Sequence, residues 1–517
     1  MKKIKKSLGI LFIIIIGVLL LMSVRSLFTG FPTAVSWQEN KVERPANFET
    51  QVKKLSGGIQ IPTVSYTDTE KTDFSRFAAF RDYLKKKYPA VFEKMEYSLI
   101  NENTMLLVWR GTNAGLNPIL FNAHYDVVPA YDSPSTSEIP FDVSDDLVHT
   151  PIEAPTAWTY PPFSGAVKNG RMYGRGTLDV KSMLFALMNA AETLMEQGFR
   201  PQRDIYFAFT HDEEVGSENG AKKIVEYLKS QPVFLDAVYD EGGLVQLMKM
   251  KGETYGFAMV GVAEKGYLTV RIKVSANAGH SSTPPLETTL GKAAVIIQRL
   301  ENNQMPARIS PDFEVLLKNV ASIFGFPAKI AVANNDVLEP VFTKILSTVP
   351  MTNAAIRTTT AVTGAKGSDA ENVLLGVAEI IVNFRLFPGD KIDDVIKHVE
   401  KQCKGFDTQI EVLTGREAAK VSPTDTKAFR KMEESIKSVF PAANIVPYVT
   451  LAATDSRNYQ EVSDNIYRFM PIAVTPVEVG TIHGYDESIT LDNYLKMMLY
   501  FEDLLRRYDD GCLKSPQ

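Results

Sequence analysis

Seven side chains stand out by type and position as able to bind divalent cations or move protons at neutral pH: His124, Asp126, Asp179, Glu213, Glu214, Asp240 and His483. His124-Tyr125-Asp126 puts an imidazole and a carboxylate on one side of an extended segment. A metal-bound imidazole needs a partner at its other nitrogen to fix the tautomer; Asp126 can be that partner or can bind a cation itself. Asp179 stands in GRGTLDVK, just ahead of a helical stretch, where its ordinary role would be an N-cap. Glu213 and Glu214 are adjacent, so in extended backbone they point apart: one can bind metal while the other faces a substrate. Their ordinary role would be the solvated start of a helix. Asp240 follows an apolar run, and Gly242-Gly243 behind it lets backbone approach closely. His483 lies far down the chain in TIHGYDES. Each of these residues has an ordinary structural role when taken singly. Together, two imidazoles and three carboxylates suit two zinc ions, with nitrogen and oxygen ligands at about 2.0–2.2 Å. One carboxylate would bridge ions ~3.5–4 Å apart, and one Glu would be left to act as a base.

The elements that must gather these groups can be read from hydrophobic patterning. Three apolar runs end in polar, mostly acidic groups: Pro118 to Ala123 before His124, Asp204 to Thr210 before His211-Asp212-Glu213-Glu214, and Val233 to Tyr239 before Asp240. Helical spacing is present in 74–96 and in Lys181 to Gln197. Strands alternating with helices predict an α/β domain with a mostly parallel sheet, in which ligands bind beyond the carboxyl ends of the strands. From Gly266 the texture changes. Tyr267 to Val274 and Ala378 to Phe384 read as half-exposed strands. Between them lie a helical run, Thr288 to Leu300, and a long irregular middle. This predicts a second domain inserted at 265–388. The α/β texture then returns, through Tyr467 to Val474 and a final amphipathic helix Leu491 to Arg507. The expected catalytic domain is 61–264 plus 389–510, preceded by a linker at 28–60.

Composition narrows the function. The 517 residues are 45% hydrophobic and 23% charged, as in an ordinary globular protein. With 61 acids against 56 Lys plus Arg, the net charge of −5 leaves no basic field for nucleic acid. Two cysteines, Cys403 and Cys512, exclude a disulfide-stapled scaffold and a thiolate zinc cluster. At the N-terminus, Lys2, Lys3, Lys5 and Lys6 precede the apolar run Leu8 to Met22. Residues 1–27 therefore read as a signal peptide or membrane anchor, with the catalytic part exported and either tethered or released.

The segments FNAHYDVVP, WTYPPFSGAVKNGRMYGRGTLDVKSM, HDEEVGSENGA, YDEGG, AEKG, AGHSSTPP, TNAAIRTTTAVTG, VNFRLFPGD, ATDSRNY and IHGYDESI occur in one order across residues 60 to 505. In this they resemble the M20 family of zinc peptidases and aminoacylases, and within it the carboxypeptidase S-like branch. The resemblance implies an α/β catalytic domain and an inserted α+β, ferredoxin-like lid that also mediates dimerisation. It implies two zinc ions held by His124, Asp179, Glu214, Asp240 and His483, with Asp179 bridging; Co2+ or Mn2+ would suit the same donors. Asp126 is then the orienting partner of His124, and Glu213 the general base. His280, in AGHSSTPP, would stabilise the oxyanion, and Arg385 would clamp a substrate carboxylate. Asn372 matches a lid asparagine, although Leu375 stands where the family's segment has proline. The implied reaction is hydrolysis, or the reverse synthesis, of an amide next to a C-terminal amino acid in a peptide or an N-acyl amino acid. A membrane-tethered zinc-binding protein without turnover is the competing reading, and the complete ligand set with Glu213 counts against it. A serine hydrolase is disfavoured because no G-x-S-x-G is present.

Overall fold

The computed structural model describes residues 20–131, 139–143 and 155–509. The chain forms two compact units. The larger comprises Val35–Val262, Ser422–Val446 and Thr454–Gln517; the other comprises Met1–Ala34, Ala263–Val421 and Pro447–Ala453.

The larger unit is built on a mixed sheet. Its strands run in the order Glu96–Ile100, Thr104–Trp109, Ile205–Thr210, Ile119–His124, Ala237–Asp240, Ile466–Arg468, Glu253–Glu264, Val245–Met250, Ala473–Val474. Ile119–His124 pairs in parallel with both Ile205–Thr210 and Ala237–Asp240, and the latter pairs in parallel with Ile466–Arg468. All three apolar runs singled out in the sequence therefore finish at the same edge. Alternation along each strand feeds two cores. Leu107, Phe121 and Phe207 face the helices Phe48–Ile59, Lys181–Glu196 and Leu491–Arg507. Leu106, Leu120 and Tyr206 face the helix Ala221–Ser230. Burial on both faces explains why these strands read as continuous apolar runs.

Local chemistry moves several expected boundaries. The helical spacing of 74–96 resolves into Phe74–Lys87 and Pro89–Lys94, because Pro89 holds Tyr88 out of the helical region. Pro471 likewise divides 467–474 into two short strands. The expected linker contains a buried helix, Phe48–Ile59, that places Phe48, Val52, Leu55 and Ile59 in the core. Gly57 and Gly58 lie inside this helix. A Cβ at Gly58 would collide with the Phe185 ring, and one at Gly57 with Tyr83, so the glycines permit close packing.

In the second unit an antiparallel sheet runs Thr359–Lys366, Val377–Leu386, Gly266–Ser275, Asp407–Arg416, with the helices Thr289–Asn302 and Ile392–Cys403 packed on one face. The order of elements and strands is that of a ferredoxin-like fold. This fold needs the helix and strand beyond Pro388, so the unit reaches Val421 and passes the expected end at 388. The middle that read as irregular is four helices: Pro311–Phe324, Phe326–Ala333, Asn335–Leu346 and Pro350–Ile356. Gly325, Pro327 and Pro350 sit at or near their junctions and had masked the periodicity. Of the N-terminal apolar run only 20–22 lies within the described residues, and 20–28 is helical. Among the described residues, no helix is long and apolar enough to cross a membrane.

Phe121 stacks on Phe207 and Tyr239, with ring centroids 5.8 and 5.3 Å away, and meets Phe501 edge-on. Phe121→Ala should cost about 3–5 kcal/mol of stability. Calorimetry should register this as a clear fall in the melting temperature; an unchanged midpoint would contradict this account of the core.

Candidate metal centre

His124 is the last residue of its strand and is fully buried. Its Nε2 lies 2.8 Å from Asp179 Oδ1. His483 approaches the same carboxylate from the other side, with Nε2 3.1 Å from Asp179 Oδ2. That Nε2 is also 3.2 Å from Glu214 Oε1 and 3.1 Å from Oε2. One ligand atom from each of His124, Asp179 and Glu214 fits within a 4.8 Å group. Asp179 thus turns one oxygen toward each imidazole, and Glu214 stands with His483.

Buried groups fix these positions. His124 Nδ1 lies 3.0 Å from the Asp126 carbonyl and 3.4 Å from Asp126 Oδ1. The Asp126 carboxylate accepts the Ser65 hydroxyl at 2.7 Å and the amide N–H groups of Glu213 and Glu214, each at 3.2 Å. One carboxylate therefore orients His124 and pins the 3-10 turn Glu213–Val215. Asp179 rests on Glu487, which accepts N–H donors from Gly176, Leu178 and Asp179 at 2.9, 2.8 and 3.1 Å. Glu487 also pairs with Arg175 at 2.6 Å, and neither side chain reaches solvent appreciably. Sequence reading missed Ser65, Arg175 and Glu487, although Glu487 lies in the IHGYDESI segment and Arg175 in GRGTLDVK.

The charges are strongly coupled. Burial pushes the Glu213 carboxyl well above the usual range, His124 pulls it back, and Glu241 and Asp455 add to the rise. Burial also raises Glu214, opposed by its bond to His483. Hydrogen bonds to Asp179 and Glu214 lift His483 to about 10. For His124, burial disfavours the cation, yet bonds to Asp126 and Asp179 outweigh it and set the imidazole well above its ordinary value. Asp179 is held low by His124 and His483 despite burial. The carboxylates around the two imidazoles thus favour positive charge at this spot. Divalent cations would supply it on the same nitrogen and oxygen donors, so the donor set fits zinc.

Asp240 falls outside this group. Its oxygens accept Asn122 Nδ2 at 2.9 Å and the Ser456 N–H at 2.8 Å. Burial and the neighbouring Asp455 push it up to about 6. The next residue, Glu241, is one of the acids whose charge raises Glu213, with Asp455 and Asp179. Asp240 is the last residue of its strand, and Glu241 follows it in the bend that leads to Gly242-Gly243. His211 is structural: its Nδ1 meets Thr104 Oγ1 at 2.7 Å, its ring packs on Phe74 and Phe77, and burial lowers it to about 4. His398 is half-buried, and His149 and Cys512 lie outside the described residues.

The remaining expected residues belong to the other unit. His280 is exposed and pairs with Val373 in a two-stranded ribbon. The Ser282 N–H donates to His280 Nδ1 at 3.1 Å, which leaves the proton of a neutral ring on Nε2. Asn372 is exposed, and its carbonyl accepts the Ser281 N–H at 3.1 Å. Arg385 lies 4.7 Å from the Tyr267 ring centroid, and among the described residues no carboxylate pairs with it.

A sheet whose parallel strands deliver imidazole and carboxylates to one edge, around a buried acid of raised pKa, defines a metal-dependent hydrolase. The chain belongs to peptidase family M20/M25/M40, whose sequence profile matches residues 120–507. It is 33% identical to an N-fatty-acyl-amino acid synthase/hydrolase of Xenopus tropicalis, over 97% of this chain and 95% of that protein. It is 34% identical to the human protein of that description, over 91% and 89%, and 31% identical to a probable carboxypeptidase S-like protein of Dictyostelium discoideum, over 88% and 84%. In fold it is similar to an M20 family metallo-carboxypeptidase of Sulfolobus solfataricus (TM-score 0.59, 18% identity, 89% of this chain and 99% of that one). It is also similar to a dinuclear metal-binding M20 peptidase of Bacillus subtilis (TM-score 0.52, 13% identity, 89% and 98%). With these relatives the chain is a metal-dependent amidohydrolase.

Glu487→Gln would leave the buried Arg175 without its counter-charge, at a cost of about 3–5 kcal/mol. The melting temperature should fall, and bound metal should fall with it as the Asp179 loop loses its acceptor. A variant that melts and loads metal like the parent would contradict this role.

Proposed function

We propose that this chain is a dinuclear zinc hydrolase that cleaves, and can re-form, the amide between an acyl group and a C-terminal amino acid. N-acyl amino acids are favoured over short peptides as substrates, on the strength of the relatives' names. The observation that carries the two-ion reading is the two-sided Asp179 carboxylate, with one oxygen toward His124 and the other toward His483. His483 and Glu214 would hold one ion. His124 would hold the other, completed by Glu241 in place of the Asp240 first expected. When bound, the ions supply Lewis acidity toward the carbonyl and lower the pKa of water toward ~7.

The chain's own residues do the rest. Glu213, raised by burial, accepts the proton of the attacking water and delivers it to the leaving amine. Synthesis runs the same proton path backwards. Asp126 keeps His124 in one tautomer. His280, with its proton on Nε2, is assigned the developing oxyanion. Arg385, with no acidic partner among the described residues, is assigned the α-carboxylate, which it can hold through two parallel bonds. Asn372 is assigned a lesser positioning role in the same lid. The N-terminal lysines and apolar run support an exported, membrane-tethered enzyme, and a lid-mediated dimer belongs to the same reading.

Purified chain incubated with a panel of N-acyl amino acids and dipeptides should release amino acid, stop on chelation and recover with Zn2+. Turnover that ignores the chelator would overturn the reading. Glu213→Gln should keep its metal and lose about 10²–10⁴-fold in kcat; retained turnover would remove Glu213 from its role. Arg385→Ala should raise KM for free acids and leave their carboxamides unaffected; equal effects on both would dismiss the clamp.

A further inference from the structure

The unit that contains the ferredoxin-like sheet also carries the helical arm 311–356, inserted between the helix Thr289–Asn302 and the strand Thr359–Lys366. On its third helix, Asn335–Leu346, Val337, Val341 and Ile345 recur every four residues and therefore share one face. They are 67, 55 and 61% exposed, and Met351 beyond them is 67% exposed. The N-terminal stretch 20–28 belongs to the same unit and is tied to this helix. Arg25 Nη1 reaches both oxygens of Asp336 at 2.8 and 2.9 Å, and Asn334 Nδ2 donates to the Met22 carbonyl at 3.1 Å. With Arg25 so engaged, Leu20, Val24, Leu27 and Phe28 are left as an exposed stripe.

Single exposed apolar side chains are ordinary. Two such rows on helices joined by an ion pair are not, and they mark a surface that something apolar covers. The arm offers no electrostatic alternative, since Lys318, Lys329 and Lys344 are outnumbered by Asp312, Glu314, Asp336 and Glu339. The identity of the cover follows from the chain that enters here. Leu8 to Leu19 is wholly apolar, Lys2, Lys3, Lys5 and Lys6 precede it, and it runs directly into Leu20. A lysine-flanked apolar segment of that composition reads as a membrane anchor or a signal peptide, and the anchor reading puts lipid beside this face.

We propose that the helical arm and the 20–28 stretch together form a membrane-docking face that lies on a neutral phospholipid surface. The proposal rests on the N-terminal anchor reading and goes beyond it: the lid unit itself touches the bilayer, and the chain is not merely tethered above it. An enzyme of amphiphilic acyl amino acids would then be held where such substrates partition.

The test uses the full chain with Cys512→Ser and one introduced thiol, Val341→Cys, carrying an environment-sensitive fluorophore; Cys403 is buried. Leu99→Cys, on an exposed strand of the other unit, is the control. Each is mixed from detergent with phosphatidylcholine vesicles, with or without a spin-labelled lipid. The expected result is flotation with the vesicles, several-fold quenching of the Val341 probe by the spin-labelled lipid, its protection from iodide, and no change at Leu99. High salt should not reverse the quenching. Flotation with a Val341 probe as open to iodide as in buffer would overturn the docking face and leave the anchor standing. Failure to float would overturn both. Concentration-dependent protection without vesicles would overturn the proposal in favour of a second copy of the chain on this face.

Discussion

Buried negative charge is the constraint around which the larger unit is organised. Asp126, Asp179, Glu213, Glu214, Asp240 and Asp455 lie together at the end of a sheet, mostly removed from solvent. Carboxylates in such surroundings must be neutralised, protonated or bonded to donors. Each solution is in use. Asp126 takes a hydroxyl and two amides. Asp240 takes Asn122 and the Ser456 amide. Glu213 is pushed toward protonation. Asp179 and Glu214 are left facing two imidazoles, which is where cations have the most to neutralise.

Topology makes that concentration of charge attainable. Three parallel strands end at one edge, so residues at 124, 210–214 and 240 meet without long loops. The other components arrive from a distance and need fixing. The Arg175–Glu487 pair joins two segments 312 positions apart, and through its amide acceptor it sets the loop that ends in Asp179. Glu487 and His483 share one loop, so the side chain that braces Asp179 and the imidazole that faces it are positioned together.

The sequence was most legible where chemistry and periodicity coincide. The strands ending in His124, the Glu pair and Asp240 are visible as apolar runs, and the imidazole and carboxylate types announce a metal. It was less legible where a residue's job is to hold another. Glu487, Ser65 and Asn122 have no spacing that marks them, because their partners are far away in the chain. Asp240 read as a ligand because it ends an apolar run, but its oxygens are taken by Asn122 and the Ser456 amide, partners that lie 118 and 216 positions away. The segment 28–60 read as a linker although it contains the buried helix Phe48–Ile59, and breaks near Gly325 and Pro350 hid four helices.

Placing a metal centre of this kind in a chain whose second unit bears apolar rows joins two demands, cation binding at one site and contact with an apolar surface at another. The first is the more fundamental, since the roles proposed for Glu213 and Arg385 have no purpose without it. The most direct measurement is elemental analysis of metal per chain in the parent, His124→Ala and His483→Ala. A two-sided Asp179 predicts about two ions in the parent and about one in each variant. A parent that binds one ion or none, or single-histidine variants that lose nothing, would contradict it.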